Sequence, residues 1–177
     1  MTRYGKSVVG GLWVNKEFET LQRLWRGKAS VPTPILKNGD TILMTYIGEP
    51  EHPAPKLCEV VMKSVEADEV LRQIIENLNI FYKLGIIHGD LSPFNILYWE
   101  GKIWIIDLPQ AVDLYRNPDS MDLLYRDLTN ICAHFLKQDV DCYPKELFRR
   151  VTGLTYAAGR TYEDLLMLSY GTTDSTV

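Results

Sequence analysis

The spacing of apolar positions changes along this chain, and each change marks an element. From Thr2 to Trp13 polar residues and glycines follow no stable period, so loop is expected. Asn15 is placed to cap a helix with Glu17 in its first turn and Phe18, Leu21, Leu24 and Trp25 as its apolar stripe, stopped by Gly27. The prolines of Val31-Pro32-Thr33-Pro34 exclude helix. Two short strands are expected next, at Ile35-Leu36 and from Thr41 to Ile47, joined by the turn Lys37-Asn38-Gly39-Asp40. Gly48 to Pro55, with Pro50, Pro53 and Pro55, reads as a linker.

A helical period returns at Ser64, with Leu71, Ile74, Ile75, Leu78, Phe81 and Leu84 on one face and Gly85 as the stop. Ile96 to Trp99 and Lys102 to Ile106 flank Glu100-Gly101, which predicts a hairpin. Beyond Pro118 the spacing of Leu123, Leu124, Leu128, Ile131 and Phe135 is helical again, and further helices are expected around Lys145–Val151 and Tyr162–Leu168. Strands and one helix first, then a mainly helical second part, give an α+β class. The end of the chain, from Gly171 to Thr176, is expected to be disordered.

Composition narrows the setting. A chain of 177 residues suits one well-filled core, or one large and one small lobe. Its 46% apolar and 24% charged residues are those of an ordinary soluble protein, and the net charge of −4 argues against coating nucleic acid. Three cysteines, Cys58, Cys132 and Cys142, form no CxxC pair and read as reduced thiols. No apolar stretch follows Met1–Gly10 as in a signal peptide, and no run approaches a membrane span. A cytoplasmic protein with no membrane contact and no direct nucleic-acid binding is expected.

Candidate chemistry concentrates in Ile87-His88-Gly89-Asp90-Leu91-Ser92-Pro93-Phe94-Asn95-Ile96-Leu97, with Ile105-Ile106-Asp107 twelve residues after Asn95. Phosphoryl transfer needs a carboxylate that takes or orients the acceptor's hydroxyl proton, and hard oxygen ligands that hold Mg²⁺ against the nucleotide phosphates. Asp90 and Asn95 have the D-x-x-x-x-N spacing of a kinase catalytic loop, and Asp107 follows an apolar strand where a second metal carboxylate belongs. A single Asp or Asn in a loop is usually a turn former or cap. Three in register, each beside the strand the motif requires, outweigh that plain reading. No second histidine accompanies His88 to complete a zinc-type site, and His52 and His134 are read as surface or packing residues.

The longer pattern resembles the RIO-type atypical protein kinases, with a protein-kinase-like fold. The resemblance rests on His88-Gly89-Asp90-Leu91-Ser92, Asn95-Ile96-Leu97-Tyr98, Ile106-Asp107-Leu108-Pro109-Gln110-Ala111-Val112 and Leu123-Leu124-Tyr125-Arg126-Asp127. It extends over Glu17-Phe18-Glu19-Thr20-Leu21, Val31-Pro32-Thr33-Pro34 and Leu43-Met44-Thr45-Tyr46-Ile47-Gly48, so it runs from about Trp13 to Lys137. Gly89, and Leu108-Pro109 after the metal Asp, depart from conventional protein kinases.

The resemblance implies ATP and Mg²⁺ as cofactors, Asp90 as catalytic base, and Asn95 and Asp107 as Mg²⁺ ligands. It makes Met44 the gatekeeper and Thr45, Tyr46 and Ile47 the hinge that meets adenine. Ser92, Leu97 and Ile106 join the nucleotide site. Glu17 would be the helix glutamate that pairs with a phosphate-binding lysine, although a favourable first-turn carboxylate is an equal reading. Asp127 would brace the catalytic loop, and Asp107 could accept phosphate during ATP hydrolysis. Residues 1–48 would form a partial N-terminal lobe and residues 49–177 the C-terminal lobe. The family's glycine-rich loop and strand lysine are not identifiable: Lys6 lies eleven residues before Glu17, and Gly10-Gly11 is not a phosphate loop. The chain is expected to begin late in the family pattern, with apolar surface exposed on the small lobe. Serine phosphorylation follows by family, and a ribosome-associated role by analogy alone. Two other readings stay open: a small-molecule phosphotransferase of the aminoglycoside or choline type, and a pseudokinase acting as an interaction module.

Overall fold

The computed structural model describes residues 3–171. The expected disordered tail beyond Gly171 lies outside them. Helix α1 spans Arg3–Arg26, which corrects the loop expected from Thr2 to Trp13 and the cap expected at Asn15. The physical reason is cooperativity: once the Glu17–Arg26 turns are formed, each added residue brings one hydrogen bond, and this outweighs the glycine pair's cost of about 1 kcal/mol per residue. The predicted stop holds, with the Gly27 amide donating to the Arg23 carbonyl.

Strands β1 (Pro34–Asn38) and β2 (Thr41–Met44) form an antiparallel hairpin. The second strand is shorter than expected, because Thr45–Ile47 leave the ladder. The stretch expected as linker carries a small hairpin of its own, β3 (Gly48–Glu49) with β4 (His52–Pro53). Its prolines are compatible because a two-residue edge strand needs few donors. Helix α2 (Ser64–Lys83) begins and ends as predicted. Strand β5 (Ile86–Ile87) pairs with β8 (Val112–Asp113), and β6 (Ile96–Trp99) with β7 (Lys102–Ile105). Helices α3 (Ser120–Leu136), α4 (Pro144–Thr152) and α5 (Tyr162–Gly171) complete the chain.

One apolar core runs through these elements. It takes Leu21 and Leu24 from α1, Ile74 and Phe81 from α2, Leu128 and Phe135 from α3, Phe148 from α4 and Leu165 from α5. Tyr125 stacks on Tyr156 at 3.7 Å, which fastens the segment after α4 to α3. The loop between α1 and β1 is pinned from two sides. The Ser30 amide donates to Asn77 Oδ1 at 2.5 Å, and the Ile105 amide donates to the Ser30 carbonyl at 2.8 Å. Helix α1 is therefore held in a set position relative to β7 and the residues that follow it. The β1–β2 hairpin is less covered, and Ile35, Leu36 and Leu43 are exposed on it, as the sequence led us to expect. Among the described residues no helix is long and apolar enough to cross a membrane.

Candidate active site

The segment after β5 turns sharply at Gly89, whose φ is +79°. A side chain is excluded there twice over, by that backbone and by the Gln110 carbonyl oxygen, 2.7 Å from where a Cβ would sit. The turn is braced from α3. Asp127, fully buried, accepts the Gly89 amide at 2.8 Å on one oxygen and the Leu91 amide at 2.9 Å on the other. Burial pushes its carboxyl up to about 7, against the pull of those two donors. Arg126 donates to the Gly89 carbonyl and Asn130 Nδ2 to the Leu91 carbonyl, so one face of α3 grips the whole loop.

His88 braces the loop from the opposite side. Its Nε2 lies 3.1 Å from the Ile106 carbonyl, and the Asp90 amide donates to its Nδ1 at 3.4 Å. One ring nitrogen is thus a donor and the other an acceptor, which is the neutral imidazole. Burial holds its pKa below the ordinary range and favours the same form. The ring stacks on Phe81 of α2, with centroids 6.4 Å apart.

Between these braces Asp90 is exposed, its amide bonded to His88 and its carbonyl bonded by Asn95 Nδ2 at 2.8 Å. Asn95 ends a short 3₁₀ turn, Pro93–Asn95, that Ser92 caps through its hydroxyl oxygen. Because the Asn95 amide nitrogen is spent on Asp90, the carboxamide oxygen is the group it has left to offer. The Ile106 amide donates to the Asn95 carbonyl at 3.0 Å, so the end of β7 and the start of β6 are tied side by side. Asp107 follows at once. It is exposed, in the left-handed region at φ +66°, a conformation a non-glycine residue adopts only where its surroundings impose it. The structure therefore brings Asp90, Asn95 and Asp107 together at one end of the β6–β7 hairpin.

Glu17 of α1 lies within electrostatic reach of Asp107. Its carboxyl is half-buried, and its pKa is raised first by burial and then by the negative charge of Asp107. Among residues 13–170, whose side chains are described, no cation pairs with it. Thr45, Tyr46 and Ile47, expected as a hinge, follow directly after β2. The Thr45 amide donates to the Thr33 carbonyl and the Ile47 carbonyl accepts from Ala54, both at 3.0 Å. Met44 pairs with Pro34 across the hairpin. Leu97 faces Trp104 in the β6–β7 ladder, and Ile106 is half-buried beside it.

Two positions that sequence reasoning passed over matter here. His88 was weighed only as a metal ligand, yet it spans the two halves of the site. The signal was its place directly after the buried Ile86-Ile87 pair. Asn130 gave no signal beyond lying one helical turn after Asp127.

Comparisons with known proteins agree with this geometry. The RIO domain family model matches residues 2–147. Human serine/threonine-protein kinase RIO3 is 34% identical over 150 residues, which are 83% of this chain and 29% of that protein. The RIO-type serine/threonine-protein kinase Rio1 of Haloferax volcanii is 34% identical over 151 residues, 85% of this chain and 51% of that protein. The chain thus spans about half or less of the length of these two relatives. Among solved structures, the Rio2 kinase–ADP/Mg²⁺–phosphoaspartate complex from Chaetomium thermophilum superposes with a TM-score of 0.64 at 22% identity, over 98% of this chain and 53% of that one. The likeness in structure establishes a protein-kinase-like fold, and the family match, together with the braced His88–Asp90 turn and the Asn95–Asp107 pairing, places this chain in the RIO domain family.

Proposed function

We propose that the chain is an ATP- and Mg²⁺-dependent RIO-type serine/threonine kinase or ATPase, with residues 1–48 and 49–177 as its two lobes. The observation that carries the reading is the convergence of Asp90, Asn95 and Asp107 on a turn braced from both sides. Asp90 presents a carboxylate to the open cleft while its backbone is held at both ends, which suits a base that orients a serine hydroxyl and takes its proton. Asn95 and Asp107 fit Mg²⁺ by donor chemistry: one carboxamide oxygen and one carboxylate, a small set of hard oxygens that phosphates and water would complete. When bound, the ion would neutralise charge on the phosphates. Among the described residues no group of three or more His, Cys, Asp or Glu side chains gathers, so no protein cage competes with that assignment.

The hinge suits adenine. With the Thr45 amide and the Ile47 carbonyl already bonded, the Thr45 carbonyl and the Ile47 amide are the complementary pair left to meet the base. Met44 would close the back of the pocket and Tyr46 its outer edge, with Leu97 and Ile106 beneath the ring and Ser92 beside the phosphates. Phosphate could also pass to Asp107 itself. A carboxylate oxygen would form the new bond to the γ-phosphorus, the bond from that phosphorus to the β-phosphate bridging oxygen would break, and ADP would leave with the electron pair. The phosphoaspartate named for the Chaetomium Rio2 complex supports this route.

A second reading, nucleotide binding without transfer, draws on Glu17, which lies within electrostatic reach of Asp107 and has no cation paired with it among residues 13–170. Incubation with Mg²⁺ and radiolabelled ATP separates the two. Label on the chain that hydroxylamine removes indicates an acyl phosphate, and alkali-labile label on serine indicates transfer to a hydroxyl. Nucleotide binding with no label and no ADP production contradicts the enzymatic reading.

A further inference from the structure

A groove of about 520 Å³ opens beside the catalytic loop, between that loop, α3 and the segment ahead of α2. One wall is Ser92 to Phe94, within four residues of Asp90. Phe94 is 61% exposed, and the capped 3₁₀ turn holds it there. Cys58 and Ala133 continue the apolar lining. The opposite wall is α3, through Asn130 and His134, with Lys137 as the cap at its C-terminal end. Asn130 bonds the Leu91 carbonyl, so the groove and the Asp90 turn are parts of one rigid unit.

The charge in this groove has one sign. His134 is held neutral by burial and then by the charge of Lys137, and its Nε2 accepts from the Gln138 side chain at 2.7 Å. The lining contains no carboxylate, and Lys137 is its one cation. Both ion pairs among the described residues belong to Arg72 on α2, so Lys137 has no carboxylate partner there.

We propose that this groove docks the phosphoacceptor: a protein segment that lays an apolar side chain on Phe94 and an acidic side chain on Lys137, with its serine at Asp90. The proposal rests on the kinase reading for the serine's fate, but not for the docking. An apolar side chain would cover the exposed ring, and a carboxylate would answer the unpaired ammonium. A basic segment would meet Lys137 with like charge, so the groove selects against it.

The test uses the full chain and two fluorescent serine-centred peptide pools with apolar flanks, one carrying glutamates and the other lysines, read by anisotropy without nucleotide. The glutamate pool binds roughly fivefold or more tightly than the lysine pool, the scale of one partly exposed charge pair made in one case and opposed in the other. Lys137→Glu reverses that order, and Phe94→Ala weakens both pools. Equal binding of the two pools, or an order unchanged in Lys137→Glu, overturns the docking proposal whatever the chain does with ATP. If the chain does transfer phosphate, the preference appears in KM, with kcat and acceptor-free ATP hydrolysis unchanged in Lys137→Glu. The expected peptide order in a chain that never hydrolyses ATP overturns the kinase reading and leaves the docking site standing.

Discussion

The Gly89–Asn95 turn and the β1–β2 hairpin are built to opposite standards. Around the turn, the Gly89 and Leu91 backbone groups are bonded by Asp127, Arg126 and Asn130 from α3. The Asp90 backbone is held by His88 and Asn95 within the loop, and His88 in turn stacks on α2 and bonds Ile106 at the end of β7. The hairpin is held by its own ladder, by the Thr33–Thr45 contacts and by Ile42 and Met44 packed on the core, and it leaves Ile35 55% exposed. On the proposed function, reactive carboxylates would need close placement, whereas a segment over a bound nucleotide would need to move. Damage should therefore be costly in the first region and cheap in the second.

The largest effect is expected from Asp127→Asn. The amide turns an NH₂ group toward one of two buried N–H donors, and unfolding in urea should show a loss of about 3 kcal/mol. A loss below about 1 kcal/mol would mean that the brace is not what holds the turn. Gly89→Ala comes next, at about 2 kcal/mol, because the left-handed backbone and the Gln110 carbonyl both oppose a Cβ. Gly101, at φ +76° with open space around it, sharpens the comparison. Gly101→Ala should cost about 1 kcal/mol, the backbone share alone.

Acid should strike the same turn. The pKa of His88 is depressed below the ordinary 6.5 in the folded chain, so the unfolded chain binds the proton more readily. The stability this group contributes is present above about pH 6.5 and is lost as pH falls toward the depressed value, by at most about 1.4 kcal/mol per pH unit. His88→Gln should remove that limb from a plot of unfolding free energy against pH. An unchanged acid limb would assign it to other groups. The smallest effect belongs to the hairpin. Ile35→Thr with Leu43→Thr should shift stability by no more than about 0.5 kcal/mol per site, and sedimentation should show less self-association.

What could be read from the residues follows the same division. Helices α2 and α3 and the β6–β7 hairpin have long or alternating apolar patterns, and each appeared where its period placed it. The D-x-x-x-x-N spacing located Asp90 and Asn95 because that interval is set by a single turn of chain. The start of α1 was missed because Gly10-Gly11 and Asn15 are local signals for loop and cap, whereas helix extension is cooperative. The β5–β8 pair is two residues long on each side, too short for any period to show. Nothing in the sequence marks Asp107 as left-handed, since Asp tolerates that region without needing it. Nor could spacing reveal that Glu17 lies within electrostatic reach of Asp107 across an interval of ninety residues; that approach depends on the Ser30 connector being pinned to both α2 and β7.

The central claim is that the braced turn and Asp107 form a working Mg²⁺–ATP site in this chain. Its most direct test is steady-state ATP hydrolysis with and without Mg²⁺, by the wild-type chain beside Asp107→Asn. The account predicts Mg²⁺-dependent ADP production that falls by roughly a hundredfold or more in the variant, the scale on which loss of one charge-stabilising group slows a reaction. Hydrolysis at the same rate in both chains, or none in the wild type under saturating Mg²⁺ and ATP, would contradict it.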